Sequence, residues 1–153
     1  MNAQRSANPA EPIVEGERIR VVRPGYEDRT LPQGVMGVDA ISRRTVGSEG
    51  IFMARHRVPP GVHSDLHSHT NCETVVYILR GRAYAGEDMD EYVEAGPGDF
   101  ACIPANLAHL VGCPADSEPL EYVAARDAPG ETVVTLREAA DLPIDPDGKM
   151  RDA

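Results

Sequence analysis

Hydrophobic and polar residues alternate with a period of two along much of this chain, in runs too short for helices. In IFMARHRV (51–58), Phe52, Ala54, His56 and Val58 share one parity, while Ile51, Met53, Arg55 and Arg57 share the other. That is the pattern of a half-buried strand with the more apolar set turned inward. Ile19 and Val21 alternate with arginines in RIRVVR, and VMGVDAI (35–41), LEYVAA (120–125) and TVVTL (132–136) read as further strands. TVVYIL (74–79) differs, being apolar at both parities. One of its faces is expected to line the interior, and a second subunit is the economical cover for the other, which predicts a homodimer. The chain continues as a strand to Ala85, turns at the acidic GEDMD (86–90), returns over 92–95, and turns again at Gly96-Pro97-Gly98 before DFACI. REAADLP reads as a single helical turn. Together these elements predict an all-β fold of roughly ten short antiparallel strands, a β-sandwich or jelly-roll barrel.

At 153 residues the chain is long enough for one domain with a proper core. Residues 1–15 read as an arm and 141–153 as a tail, leaving 16–140 as the folded unit. The net charge of -10, from 15 basic and 25 acidic side chains, would repel a phosphate backbone and argues against a nucleic-acid partner. No apolar run approaches the ~18 residues of a membrane span. MNAQRSANPAEP lacks the apolar core of a signal peptide, and Cys72, Cys102 and Cys113 form no disulfide or Cys-x-x-Cys pattern. A reduced, cytoplasmic setting is therefore expected.

Chemistry concentrates in GVHSDLHSHTNCETVVYILRG (61–81) and GDFACIPANLAHLVGC (98–113). His67 and His69, two apart, would share one face of an extended strand and can point at one ion. Glu73 adds a carboxylate a few residues on, and His109 offers a fourth donor from a distant strand. Imidazole and carboxylate donors suit zinc and the first-row transition metals, and four of them leave about two positions open on an octahedral ion.

The two stretches resemble the paired motifs of the cupin superfamily. The first family motif is a glycine, five residues, His-x-His, three or four residues, a glutamate, about six residues and a glycine. Gly61, His67, His69, Glu73 and Gly81 follow it with seven residues before the last glycine, an excess that a β-bulge beside Glu73 would absorb. In the second motif Gly98, Pro104 and His109 match, Asn106 replaces a glycine, and Cys113 replaces an asparagine that is not a ligand. Asparagine tolerates the left-handed backbone a turn glycine adopts. The resemblance implies a single-domain cupin, a double-stranded β-helix or jelly-roll barrel. It also implies one divalent metal ion per subunit, held by His67, His69, Glu73 and His109. Iron is the expected occupant, with manganese, nickel and zinc as alternatives.

Around this site, His56 is either a core histidine satisfied by one hydrogen bond or a group touching substrate. Tyr77 and Tyr84 fit either a pocket wall or the core. Arg55, His56 and Arg82 are candidate substrate contacts, with His56 and Tyr77 the candidates for a catalytic role, although arginines on an outer face would simply sit in water. Thiol dioxygenases, also cupin-like, replace the motif glutamate, so Glu73 argues against that subclass. The expected function is a metal-dependent enzyme acting on a small polar metabolite, with dioxygenase chemistry in front. Lewis-acid isomerisation, decarboxylation or cyclisation, and simple ligand binding or sensing, are the alternatives.

Overall fold

A computed structural model describes residues 13–23, 29–86, 92–130 and 132–142. Most of the alternating runs form the strands expected of them, but in RIRVVR only Val21–Arg23 is extended, and Ile19 lies exposed before it. After β1 (Ile13–Glu15), β2 (Val21–Arg23) and β3 (Arg29–Thr30) come β4 (Met36–Ile41) and the four-residue helix α1 (Arg43–Val46). Then follow β5 (Phe52–Val58), β6 (Leu66–His69), β7 (Thr74–Arg80), β8 (Ala83–Gly86), β9 (Tyr92–Ala95) and β10 (Phe100–Ile103). The last strands are β11 (Leu110–Gly112), β12 (Leu120–Arg126) and β13 (Val133–Arg137), ahead of a 3-10 turn at Ala139–Asp141.

One layer is a six-stranded sheet in the order β10-β7-β12-β5-β4-β3. The other is assembled from β11-β8-β9 and from β13-β6, linked by antiparallel bridges His63↔Gly112 and His67↔His109. The result is a jelly-roll β-sandwich. Residues 13–15, assigned above to an arm, pair instead with β2, and Leu142, assigned to the tail, is buried against Tyr84 and Leu110. Residues 1–12 and 143–153, and the 87–91 part of the expected acidic hairpin, lie outside the described residues. The SRRTVGSEG connector holds a helical turn that its composition does not advertise: Ser42 caps it through a capping box with Thr45, and Gly47 ends it in the left-handed region.

The inner face of the large sheet is built row by row. Tyr122 lies opposite His56 and Ile78, Ala124 opposite Ala54 and Val76, and Arg126 opposite Phe52 and Thr74. Val35, Val58, Val76, Ile78, Leu120, Tyr122 and Ala124 make the main core cluster. Each fully buried aliphatic side chain contributes about 1.5–3 kcal/mol relative to exposure. Two glycines are dictated by closeness of approach. A Cβ on Gly112 would stand 2.0 Å from the Tyr84 ring, and one on Gly81 (φ +73°) would stand 2.6 Å from the Pro119 carbonyl oxygen.

Candidate metal centre

β6 alternates half-buried and buried, and His67 and His69 both fall on its buried parity. His109 immediately precedes β11; its backbone N–H donates to the His67 carbonyl at 2.8 Å, and its carbonyl accepts the return bond from the His67 N–H at 3.0 Å. The approach to both segments is braced by a pair of asparagines in the left-handed region, Asn71 (φ 53°) and Asn106 (φ 64°). The Asn71 N–H donates to the Asn106 side chain at 2.9 Å, and the Asn106 N–H donates to the His69 carbonyl at 2.9 Å. Asn106 thus does the work of the motif glycine, as its tolerance of this conformation suggested.

The three imidazoles converge, with one donor nitrogen from each lying within 4.8 Å of the others. Their protonation is arranged by the backbone. His67 Nδ1 donates to the Asp65 carbonyl at 2.8 Å and His109 Nδ1 donates to the Leu107 carbonyl at 2.9 Å, which leaves the Nε2 lone pair of each for a ligand. Burial, reinforced by His109 and Arg126, lowers the His67 pKa to about 3. Burial followed by Arg126 lowers that of His69 to about 2, and burial is also the largest cause of the lowered His109 value. All three are therefore neutral at physiological pH, the form that binds a metal. His69 Nδ1 is buried without a hydrogen-bond partner, an orphaned lone pair or proton of the kind a ligand site leaves. Donor type, protonation and convergence all fit a divalent transition ion or zinc.

Glu73 does not join them. It is exposed, immediately before β7, and its backbone N–H donates to the Asp127 carboxylate at 2.9 Å. The bulge invoked to accommodate it lies at the far end of the strand, where the register shifts between Glu121 and Tyr122. Alternation through the start of β7 is consequently unbroken, with Thr74 inside at 2% exposure and Glu73 outside. The motif spacing agrees. Four residues between His69 and the next position lead to Thr74, and six then lead to Gly81 with no excess. The seven-residue gap was the signal that Glu73 stands one place too early. Thr74 Oγ1 is buried without a hydrogen-bond partner.

The other sequence candidates divide by face. His56 is inside at 2% exposure, neutral because burial first and Arg126 second lower its pKa to about 3. Gln33 Nε2 approaches His56 Nε2 at 3.5 Å, and the His56 ring meets Tyr122 edge-on at 4.7 Å between centroids. His56 therefore makes the one hydrogen bond expected of a core histidine, a long one, while its Nδ1 and Gln33 Oε1 have no partner. Tyr77 is on the outer face, its ring 4.7 Å from that of Phe100 and tilted by 44°, and Arg55 is exposed there too. Arg82 is exposed and ion-paired with Asp116. None of these three faces the imidazoles. Tyr84 belongs to the core, under Gly112.

Gln33 and Arg126 were not foreseen. Arg126 is 3% exposed, its guanidinium 4.7 Å from the centre of the Phe52 ring, and its charge acts on all four buried histidines. Its parity with Tyr122 and Ala124 was the available signal; for Gln33, in a loop, there was none. A cavity of about 750 Å³ opens beside the centre, with Val76, Ile78, Ile103, Leu107 and Tyr122 among its walls and His109 as its histidine. Among the described residues, no helix is long and apolar enough to cross a membrane.

The sequence profile of the Cupin domain family matches residues 54–126. No curated protein matches the chain by sequence. Among solved structures, the polyketide cyclase RemF from Streptomyces resistomycificus superposes with a TM-score of 0.67 at 18% identity, over 82% of this chain and 89% of that one. A cupin-like protein from Thermotoga maritima gives 0.60 at 19% identity, over 71% and 80%. The oxalate decarboxylase of Lactobacillus farciminis, as a formate complex, gives 0.62 at 21% identity over 72% of this chain; the chain spans 33% of that enzyme's length. Likeness at such identities carries the fold alone. The family profile covers both β6 and His109, so residues 54–126 form a cupin domain, and the neighbours share its architecture.

Proposed function

We propose that this protein is a metal-dependent enzyme that uses a divalent ion as a Lewis acid on a small organic anion, in a lyase, cyclase or isomerase reaction. The observation that carries this reading is the convergence of three neutral imidazoles, which no carboxylate joins among the described residues. A bound divalent ion would keep its full charge there and polarise an oxygen of the substrate. The rest falls to the protein. His67, His69 and His109 hold the ion, with the tautomers of His67 and His109 set by backbone carbonyls. Arg126 adds a positive field that favours an anion. His56 and Gln33 offer one donor and one acceptor, and the mostly apolar cavity walls hold the hydrocarbon part and exclude water. The names of two structural neighbours, a decarboxylase and a polyketide cyclase, are in keeping with such chemistry.

The dioxygenase expectation rested on a histidine–carboxylate site, and that support leaves with Glu73. The same displacement removes the argument against a thiol dioxygenase, which also lacks the motif glutamate, so one redox reading stays in the test. Metal-free protein is reconstituted separately with zinc, manganese, nickel and ferrous iron, then assayed anaerobically and in air against small carboxylic acids, enols and thiols. Turnover without oxygen uptake, supported by more than one metal, is the expected result. Oxygen consumed in proportion to substrate, with iron alone, overturns it.

The working form is proposed to be a homodimer in the cytoplasm. On the outer face of the large sheet, Val75, Tyr77, Leu79 and Phe100 are exposed, with Arg57 and Glu121 paired alongside at 3.0 Å. A face carrying apolar side chains and both signs of charge is self-complementary under a two-fold axis. Three free cysteines suit a reducing compartment.

A further inference from the structure

We infer that Thr74 reserves, for a chelating carboxylate of the substrate, the coordination position that a protein carboxylate would otherwise fill. This deepens the proposed function and rests on it, since it requires the three histidines to hold a metal. Thr74 opens β7 on the inward parity, between Arg126 of β12 on one side and Ile103 of β10 on the other. Its spacing from His69 and from Gly81 is that of the motif ligand. A threonine hydroxyl in that position is neutral and shorter than a glutamate. It therefore neither neutralises the ion nor occupies the space a carboxylate would take. Its Oγ1 lacks a protein partner although the residue is 2% exposed, a state that costs about 1–3 kcal/mol unless a ligand completes it.

The surroundings specify what that ligand is. Arg126, across the strand from Thr74, places a guanidinium in the same corner. Ala54 and Ala124, in the next row of the sheet, are small and leave the floor low. A hydroxyl donor, a nearby cation and unfilled coordination together select an anionic group with two oxygens able to bind at once. That describes a dicarboxylate, or a 2-oxo or 2-hydroxy acid, and disfavours a neutral sugar or an isolated amine.

The test uses the full chain and needs no knowledge of the natural substrate. Manganese affinity is measured by competition with a chelator, and binding of oxalate and acetate to the manganese-loaded protein by calorimetry. Wild-type protein should bind oxalate at least about tenfold more tightly than acetate. T74E should tighten manganese binding about tenfold and weaken oxalate binding by about the same factor, because the new carboxylate occupies the oxalate's place. T74V removes only the hydroxyl; it should leave manganese affinity within about threefold while weakening oxalate about threefold to tenfold. E73A should change neither. If T74E does not fold, T74V and E73A decide the matter between them. Oxalate binding unchanged in T74V, or manganese binding loosened in E73A, overturns the inference. Manganese retained in H67A would instead overturn the metal site beneath it, whatever Thr74 does.

Discussion

The two faces of the six-stranded sheet are made of similar material and serve different ends. Inward, β7 presents Thr74, Val76 and Ile78; outward, it presents Val75, Tyr77 and Leu79. Inward, β5 presents His56 between Ala54 and Val58; outward, it presents Arg55 and Arg57. The polar groups inside are few, buried and incompletely hydrogen-bonded, as with His56 Nδ1, His69 Nδ1, Gln33 Oε1 and Thr74 Oγ1. Those outside are paired in the open, as with Arg57–Glu121 and Arg80–Glu118. An orphaned polar atom in a low-dielectric interior is expensive and marks a place where a ligand completes the structure. An exposed ion pair is worth little and marks only surface. One residue of register separates the two roles, and Glu73 beside Thr74 shows how complete the exchange is.

The contrast breaks most easily at the inner face. H67A and H109A should each weaken metal binding at least about a hundredfold, with the fold retained by circular dichroism; full metal content in either would remove the centre. Next in size is acid. The folded pKa values of His56, His67 and His69 lie far below the unfolded value near 6.5, so the unfolded chain takes up protons first as pH falls. The stability these neutral histidines permit is complete above about pH 6.5. It should decline by up to about 2 kcal/mol per histidine by pH 5 and go on falling towards about pH 3. Denaturant titrations of the metal-free protein at pH 7.5 and 5 measure this, and a flat profile would mean the imidazoles are hydrated. G112A comes third: a methyl driven into the Tyr84 ring should cost about 1–3 kcal/mol, read as a lowered midpoint.

On the outer face the expected effects are smaller and of another kind. Y77D together with F100D should turn a dimer into a monomer in light scattering while metal content is unchanged; a wild-type monomer at micromolar concentration would end the dimer proposal. R55A and R82A should each alter stability by no more than about 0.5 kcal/mol and leave metal binding alone. A loss of metal in either would mean that the two faces communicate.

Much of this was legible beforehand because period-two patterning survives in nearly every strand. It placed Phe52, Ala54, His56 and Val58 inside, and it put His67 and His69 on one face. Two residues apart on a strand is a local relation that tertiary context rarely disturbs. Glu73 went astray because the position of a bulge is not a local property. A bulge beside Glu73 would have turned it inward, and only pairing with β12 shows that the irregularity lies near Glu121 and that Thr74 sits opposite Arg126. Tyr77 was ambiguous for a related reason, since a strand apolar on both faces carries no parity signal.

Composition and alternation by themselves thus determined a β-sandwich and two histidines aimed at one point, because each follows from neighbours a few residues apart. That His109 meets them, that Arg126 and Gln33 share their interior, and that a threonine rather than a glutamate faces it were decided by the tertiary structure. Those relations join segments distant in the sequence, and strand register, which no single strand contains, sets which side chain arrives.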